Sequence, residues 1–138
     1  MSETSPATGA SERVYEQYVL GVRVVEVTRG EPESPRYRFE APNHETLTFT
    51  DPEMATLYAD VYFAVNGFVE EGTGDRGVPP EVMQGGKHTL AAYLITQTSA
   101  DWVASFYGAD PQRIERYVSW VREQAEEVRV AAREDVTD

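Results

Sequence analysis

Residues 98–123, TSADWVASFYGADPQRIERYVSWVRE, constrain the fold of this chain more than any other stretch. Gly108 stands where the chain must turn sharply, because glycine adopts a positive φ at the lowest cost. Thr98 or Ser99 can cap a short helix before the glycine. Asp110 can cap a second helix, and a proline follows it at the first helical position. The stretch therefore predicts two helices joined by a tight turn.

Small and branched side chains at fixed distances from this glycine predict how the two helices cross. Ala104, four residues before Gly108, suits a point where two helices approach closely and only a small side chain fits. Ile114, six residues after the glycine, is expected to point into the core. The other apolar positions of the same seam are Val103, Tyr107, Tyr117 and Val118.

The spacing A-x-x-x-G-x-x-x-x-x-I formed by these three positions resembles the helix-turn-helix superfamily of DNA-binding regulators. The resemblance covers residues 80–122 and makes the helix over residues 80–96 the supporting first helix. It implies that the helix beginning at Pro111 is a recognition helix that lies in the major groove of DNA.

The resemblance also implies which side chains contact DNA. Arginine can pair with guanine O6 and N7, and glutamine with adenine N6 and N7. Ser99, together with the N-terminus of its helix, is expected to meet a phosphate. The outward positions of the recognition helix are Gln112, Arg113, Arg116 and Ser119.

The chain departs from the superfamily pattern in several ways. Asp110 and Glu115 lie on or near the face expected to meet DNA, and Tyr107 and Tyr117 are larger than the usual residues. No β-wing follows the second helix. The alternative function is a protein–protein adaptor or antitoxin-like module with the same three-helix fold and no DNA binding. A third is a small-molecule sensor that uses the Tyr- and Phe-rich N-terminal half.

The net charge of −12 bears directly on DNA binding, because DNA repels an acidic chain. The 12 basic residues comprise 11 arginines and only Lys87, against 24 acidic residues. This composition resembles that of proteins from halophiles with concentrated cytoplasmic salt; the alternative is an acidic mesophilic protein from a GC-rich genome. At 1 M salt the Debye length is about 3 Å, so long-range repulsion is screened. Residues 102–122 carry a local charge of +1.

The N-terminal half predicts strands followed by one helix, and thus an α+β fold. Residues 14–29 favour strand, with a slip of the alternation at Val24-Val25 that indicates a bulge or burial on both faces. The segments RYRFE and TLTFT alternate apolar and polar residues, which completes a small antiparallel meander over residues 13–50. Asp51 and a following proline then begin a helix that ends at Gly67.

These elements divide the chain into four segments. A Gly/Pro loop is expected to separate the meander and its helix from an all-helical helix-turn-helix domain with a long C-terminal helix. Gly85-Gly86 weakens the first helix of that domain and favours a kink. The segments are a disordered tail (1–12), the meander plus helix (13–67), the Gly/Pro loop (68–79) and the helix-turn-helix domain (80–134).

The long C-terminal helix carries an apolar seam that advances by 3.5 residues on average. The part of the seam beyond Ala125 extends further than three short helices can cover. It either docks on the N-terminal sheet of the same chain or pairs with a second chain. A homodimer is preferred, because two recognition helices about 34 Å apart would read a two-fold DNA site. The seam consists of Ile114, Val118, Val121, Ala125, Val128 and Ala132.

Motifs for catalysis, cofactors and metals are weak in this sequence. The G-x-G-x-x-G match at residues 72–77 follows a helix and precedes two prolines, which favours a linker over a dinucleotide site. His44 and His88 lack a second metal ligand at helical spacing, and the chain has no cysteine. The N-terminus lacks the regions of a signal peptide, and no apolar run is long enough to span a bilayer. We therefore expect a cytoplasmic protein that is not an enzyme and binds no cofactor or metal.

Overall fold

The computed structural model describes residues 11–29, 34–42, 44, 46–67 and 78–137, with side chains up to residue 134. It contains a four-stranded sheet followed by helices, which confirms the expected α+β class. The strands are β1 (Ser11–Gln17), β2 (Arg23–Thr28), β3 (Arg36–Glu40) and β4 (Leu47–Phe49). The helices are α1 (Pro52–Ala64), α2 (Pro80–Gln84), α3 (Lys87–Gln97), α4 (Ala100–Tyr107) and α5 (Pro111–Thr137).

The sheet is the predicted antiparallel meander, with the strands in the order β1-β2-β3-β4. Val24, Phe39 and Leu47 face one another across three strands, so their side chains lie on the same face. This inner face packs against α1. The opposite, outer face carries Arg38 and Thr48, which are also paired in register.

The region of residues 14–29 differs from the sequence prediction, because it forms a hairpin and not one strand. Leu20 and Gly21 both have positive φ, 63° and 75°, which is typical of a two-residue hairpin turn. The irregularity expected at Val24-Val25 lies in the opposing strand β1, opposite these two valines. Leucine rarely adopts positive φ, so the residue types around position 20 did not indicate a turn.

Helix α1 forms the central layer of the molecule. Asp51 caps it, since its side chain accepts a hydrogen bond of 2.9 Å from the Glu53 backbone N–H. The sheet contacts one side of the helix, and α3 and α5 contact the other. Burial therefore extends around most of the helix and includes Ala55, Leu57, Tyr58, Ala59, Asp60, Val61, Phe63 and Ala64.

One hydrophobic cluster runs through the described part of the chain, from Val22 and Phe39 in the sheet region to Val103 and Ala125 in the helices. The segments 13–67 and 80–134 therefore share a core through α1. The expected tail begins outside the described residues, but Ser11 and Glu12 already belong to β1. Most of the expected loop, residues 68–77, also lies outside the described residues.

The helical part follows the predicted order, with a break where a kink was expected. Gly86 has a φ of 103° and separates α2 from α3. In α5, Ala125 is buried and Val128 packs against the same cluster, so this part of the seam docks within the chain. It docks on α1 and α3, however, and not on the N-terminal sheet that the sequence analysis named. None of the described helices is both long enough and apolar enough to cross a bilayer.

Candidate nucleic-acid interface

The turn between α4 and α5 has the geometry that the sequence predicts. Gly108 has φ 64° and ψ 34°, in the left-handed region. The Gly108 N–H donates to the Ser105 carbonyl at 3.1 Å, and the Ala109 N–H donates to the Ala104 carbonyl at 3.0 Å. These two bonds form a Schellman motif, which satisfies the last carbonyls of α4 and turns the chain sharply.

Side-chain caps begin both helices of this pair. The Ser99 Oγ accepts a hydrogen bond of 3.1 Å from the Trp102 N–H, so Ser99 is the cap of α4. Thr98, the other candidate, donates from its hydroxyl to the Leu94 carbonyl at 2.7 Å and completes the end of α3. The Asp110 carboxylate accepts from the Arg113 N–H at 3.1 Å at the start of α5.

Packing of α3, α4 and α5 also follows the predicted seam. Val103, Ala104 and Ile114 are buried, and Tyr117 is buried beside them. The Tyr107 hydroxyl donates to the Lys87 carbonyl at 2.9 Å, which ties the end of α4 to the start of α3. The first turns of α5 therefore have a defined orientation on the surface of the molecule.

The side chains predicted to read bases come together on the first three turns of α5. All four are exposed. Three of them, with Glu115, line a shallow depression of about 290 Å³. Ser99 is exposed as well, but it lies at the start of α4, and its oxygen already accepts the capping bond. The four are Gln112, Arg113, Arg116 and Ser119.

The arginines of α5 fall into two groups. In the described part of the chain, Arg113 and Arg116 form no ion pair. Farther along the helix, Arg122 and Arg129 bind Asp60, and Arg133 binds Glu126. Two positive side chains at the start of α5 thus have no counter-charge, whereas Arg122, Arg129 and Arg133 are paired with carboxylates.

The Asp60 carboxylate fixes the second half of α5 to α1. It is 4% exposed and accepts a hydrogen bond of 2.8 Å from Arg129 Nη1. Burial raises the pKa of Asp60, although Arg129 and Arg122 both favour the charged form. The Arg129 guanidinium also lies 5.0 Å from the Tyr18 ring centre, in a cation–π arrangement. The sequence did not indicate that Asp60 binds arginines of α5, because Asp60 and Arg122 are 62 positions apart.

Carboxylates line one side of the unpaired arginines. A groove of about 490 Å³ separates α5 from α1 and from the ends of α3 and α4. Leu57, Ile95 and Ile114 are among its apolar lining residues, and Glu53, Asp101 and Glu115 are among its acidic ones. Ser119 also lines this groove, whereas Arg113 and Arg116 are not among its lining residues. An anionic partner that binds the two arginines would therefore meet them outside the groove.

Exposed aromatic side chains on α4 and α5 form a second notable surface. Trp102 and Phe106 stack at 5.0 Å with nearly parallel rings, although they are 47% and 63% exposed. Trp120 is 51% exposed and contacts the His88 ring at 5.6 Å. These residues were not predicted to be functional from the sequence, although the i, i+4 spacing of Trp102 and Phe106 indicates that the two rings lie on one helix face. We call Trp102, Phe106 and Trp120 the aromatic surface.

The two histidines lie in aromatic surroundings. His44 Nε2 is 2.9 Å from the Tyr58 hydroxyl, and the His88 ring contacts Trp120. Among the described residues, no three or more His, Cys, Asp or Glu side chains form a group that could hold a metal ion. The glycine-rich match at residues 72–77 lies outside the described residues.

The chain matches no protein family model, no curated protein and no solved structure.

Proposed function

We propose that this chain is a sequence-specific DNA-binding protein, and a transcription regulator, that inserts the first three turns of α5 into the major groove. The observation that carries the proposal is the contrast within α5. Arg113 and Arg116 are exposed without an ion pair among the described residues, whereas the three later arginines each bind a carboxylate. In an acidic chain, two adjacent unpaired arginines suit an anionic partner.

The chemistry of the four exposed side chains supports base reading. Arg113 and Arg116 can each donate two hydrogen bonds to guanine, and Gln112 can bind adenine in the same bidentate manner. Ser119, one turn farther along, can donate to a base or to a phosphate. Ser99 can donate its hydroxyl proton to a phosphate while its oxygen keeps the capping bond.

High salt is the condition in which we propose that this protein works, in the cytoplasm. Most DNA-binding proteins gain affinity from counterion release, and this gain falls as the salt concentration rises. At about 1 M salt, both that gain and the repulsion by carboxylates are largely screened. Hydrogen bonds to base edges and shape complementarity remain, so affinity for the correct site is expected to persist in multimolar KCl.

Retention of genomic DNA fragments, including the gene's own promoter region, tests the proposal. Wild-type protein is expected to retain a defined set of fragments in 2 M KCl. R113A/R116A is expected to lose at least about tenfold in affinity, since each base contact contributes about 1–3 kcal/mol. R133A is the matched control, because Arg133 lies on the same helix and is bound by Glu126. Equal loss in R133A, or a steep fall of wild-type affinity with salt, would contradict the proposal.

A homodimer is part of the same proposal, because a two-fold DNA site requires two recognition helices about one helical turn of DNA apart. The seam of α5 through Val128 is used within the chain, so a dimer contact has to involve another surface. Sedimentation equilibrium in 2 M KCl, with and without a retained duplex, is expected to give two chains per duplex. One chain per duplex would remove the two-fold site from the proposal.

A protein–protein adaptor is the second candidate, and the aromatic surface favours it. Exposed aromatic side chains are typical of protein interfaces, and Trp102 and Phe106 are 47% and 63% exposed. This alternative predicts that wild-type protein retains no DNA at any salt concentration. It also predicts a protein partner whose binding is lost in W102A/F106A and unchanged in R113A/R116A.

A further inference from the structure

The outer face of the sheet, on the side away from α1, carries an excess of positive charge. Register places Arg38 beside Val25 and Thr48, and Arg36 beside Val27. These residues alternate with those of the inner face, such as Phe39, that contact α1. The outer face therefore carries charged and polar side chains together with valines, of which Val25 is buried.

Two glutamates on this face are already bound by two arginines. Arg38 donates to both Glu12 oxygens, at 2.8 and 3.1 Å, and from Nε to Glu40 at 2.6 Å. Arg23 donates to the other Glu40 oxygen at 2.7 Å. These pairs hold the Arg38 guanidinium in a fixed position on the outer face.

Two further arginines on this face have no such partner. In the described part of the chain, neither Arg29 nor Arg36 forms an ion pair. Both are exposed, and with Arg38, Thr48 and Val27 they line a cleft of about 440 Å³. Placing two positive groups together without a counter-charge is unfavourable. It is all the more unusual in a chain with 24 acidic and 12 basic residues.

We propose that this cleft binds a small phosphorylated molecule. Arg29 and Arg36 would each present a planar fork of donors to phosphate oxygens, and the Thr48 hydroxyl would donate one more hydrogen bond. Guanidinium groups bind phosphate in this bidentate way, and two of them call for a ligand with at least two negative charges. The cleft has the size of a small-molecule site, so it accommodates a phosphate group with an organic part that contacts Val27.

The cleft is separate from the arginines of the proposed DNA-binding function. Helix α1 lies between the sheet and the helices α3 and α5. Arg29 and Arg36 are therefore on a different layer of the molecule from Arg113 and Arg116. Ligand binding at the cleft and DNA binding at α5 can be tested independently.

Isothermal titration with inorganic pyrophosphate tests the proposal, in the lowest KCl concentration at which circular dichroism shows the native fold. Wild-type protein is expected to bind one pyrophosphate per chain saturably, with KCl additions of equal ionic strength as the blank. R29A and R36A are each expected to weaken binding about tenfold, since each loses charge-assisted hydrogen bonds. R13A, which removes an exposed arginine that is paired with Glu26, and R113A/R116A are expected to bind as wild type.

Two outcomes would overturn the proposal. The first is no saturable heat with wild-type protein, and the second is equal loss of affinity in R13A and R36A. DNA retention by R29A/R36A distinguishes a small phosphorylated molecule from the phosphate backbone of a nucleic acid as the ligand of the cleft. Unchanged retention supports a small molecule, whereas loss of DNA retention without pyrophosphate binding assigns the cleft to a nucleic-acid backbone.

Discussion

Two residues, Gly108 and Asp60, fix the orientation of α5 in the candidate site. Gly108 sets the angle between α4 and α5 through its left-handed backbone, and Asp60 holds the second half of α5 against α1. Gly108 acts through local conformation, and a Cβ atom there would meet no other atom within 4 Å. Asp60 acts through a buried ion pair, in which attraction must offset the loss of hydration.

Replacement of Gly108 is expected to destabilise the protein through backbone strain alone. G108A should lower the free energy of unfolding by about 1 kcal/mol, because alanine disfavours the left-handed region. G108N is the matched control and should lose less, since asparagine tolerates positive φ better than alanine. Chemical denaturation in 2 M KCl measures both values. An equal loss in the two variants would show that steric contact, and not φ, limits this position.

The pH dependence of stability is expected to carry the signature of Asp60. Burial raises the pKa of Asp60 above its ordinary value of 3.8, so the folded state binds its proton more tightly than the unfolded state. Stability from this group is therefore greatest below pH 3.8 and falls as the pH rises through the raised pKa. The stability difference between wild type and D60N should shrink over that range and stay constant above it. A difference that grows with pH would show that Arg129 and Arg122 outweigh the burial of the carboxylate.

At the scale of elements, α5 serves two purposes along one continuous helix. The part of α5 from Arg122 onward is attached to α1. Arg122 and Arg129 bind Asp60, and the Gln124 side chain donates to the Ala64 carbonyl at 3.1 Å. The first three turns of α5 present Arg113 and Arg116, which form no ion pair among the described residues. Because these contacts attach α5 to α1, the first three turns of the helix have a fixed orientation on the molecule.

Arginine substitutions at the start of α5 and farther along it are expected to differ in their effect on the free energy of unfolding. R129A should lower the free energy of unfolding by about 2 kcal/mol or more, because it leaves the buried Asp60 with one partner fewer. R113A/R116A should change stability by less than about 0.5 kcal/mol, as exposed side chains without partners usually do. Thermal melts of both variants in 2 M KCl measure the contrast. A comparable loss in R113A/R116A would mean that these arginines have a structural role.

At the scale of the whole molecule, the acidic surface surrounds a single core. The net charge of −12 creates self-repulsion that salt is expected to screen. Exposed carboxylates such as Glu123 and Glu127 contribute to this repulsion, since neither forms an ion pair in the described part of the chain. The same screening that the proposed DNA binding requires should therefore also stabilise the fold.

Stability is accordingly expected to rise with KCl concentration. Between 0.2 M and 2 M KCl, the melting temperature should increase on the order of 5 °C or more, because repulsion between surface carboxylates is screened. E123Q/E127Q should reduce this increase, since it removes two negative charges from one helix face. A melting temperature that is independent of KCl would argue for an ordinary acidic protein without adaptation to salt.

The sequence by itself determined the local structure of this protein. The Asp51, Ser99 and Asp110 caps and the Gly108 turn act between residues at most a few positions apart, so residue type alone indicates them. Apolar periodicity likewise predicted the meander, α1 and the seam of α5. Leu20 was missed because its positive φ is imposed by the pairing of β1 with β2 and not by its own preference.

Only the tertiary structure decided which charged groups are paired and which remain for a ligand. Arg38 meets Glu12 across 26 positions, and Arg129 meets Asp60 across 69. The same residue type therefore stabilises the fold through an ion pair at one position and is exposed without a partner among the described residues at another. Ion pairs depend on distance in space, and a sequence specifies that distance only after the sheet, α1 and α5 have packed around one core.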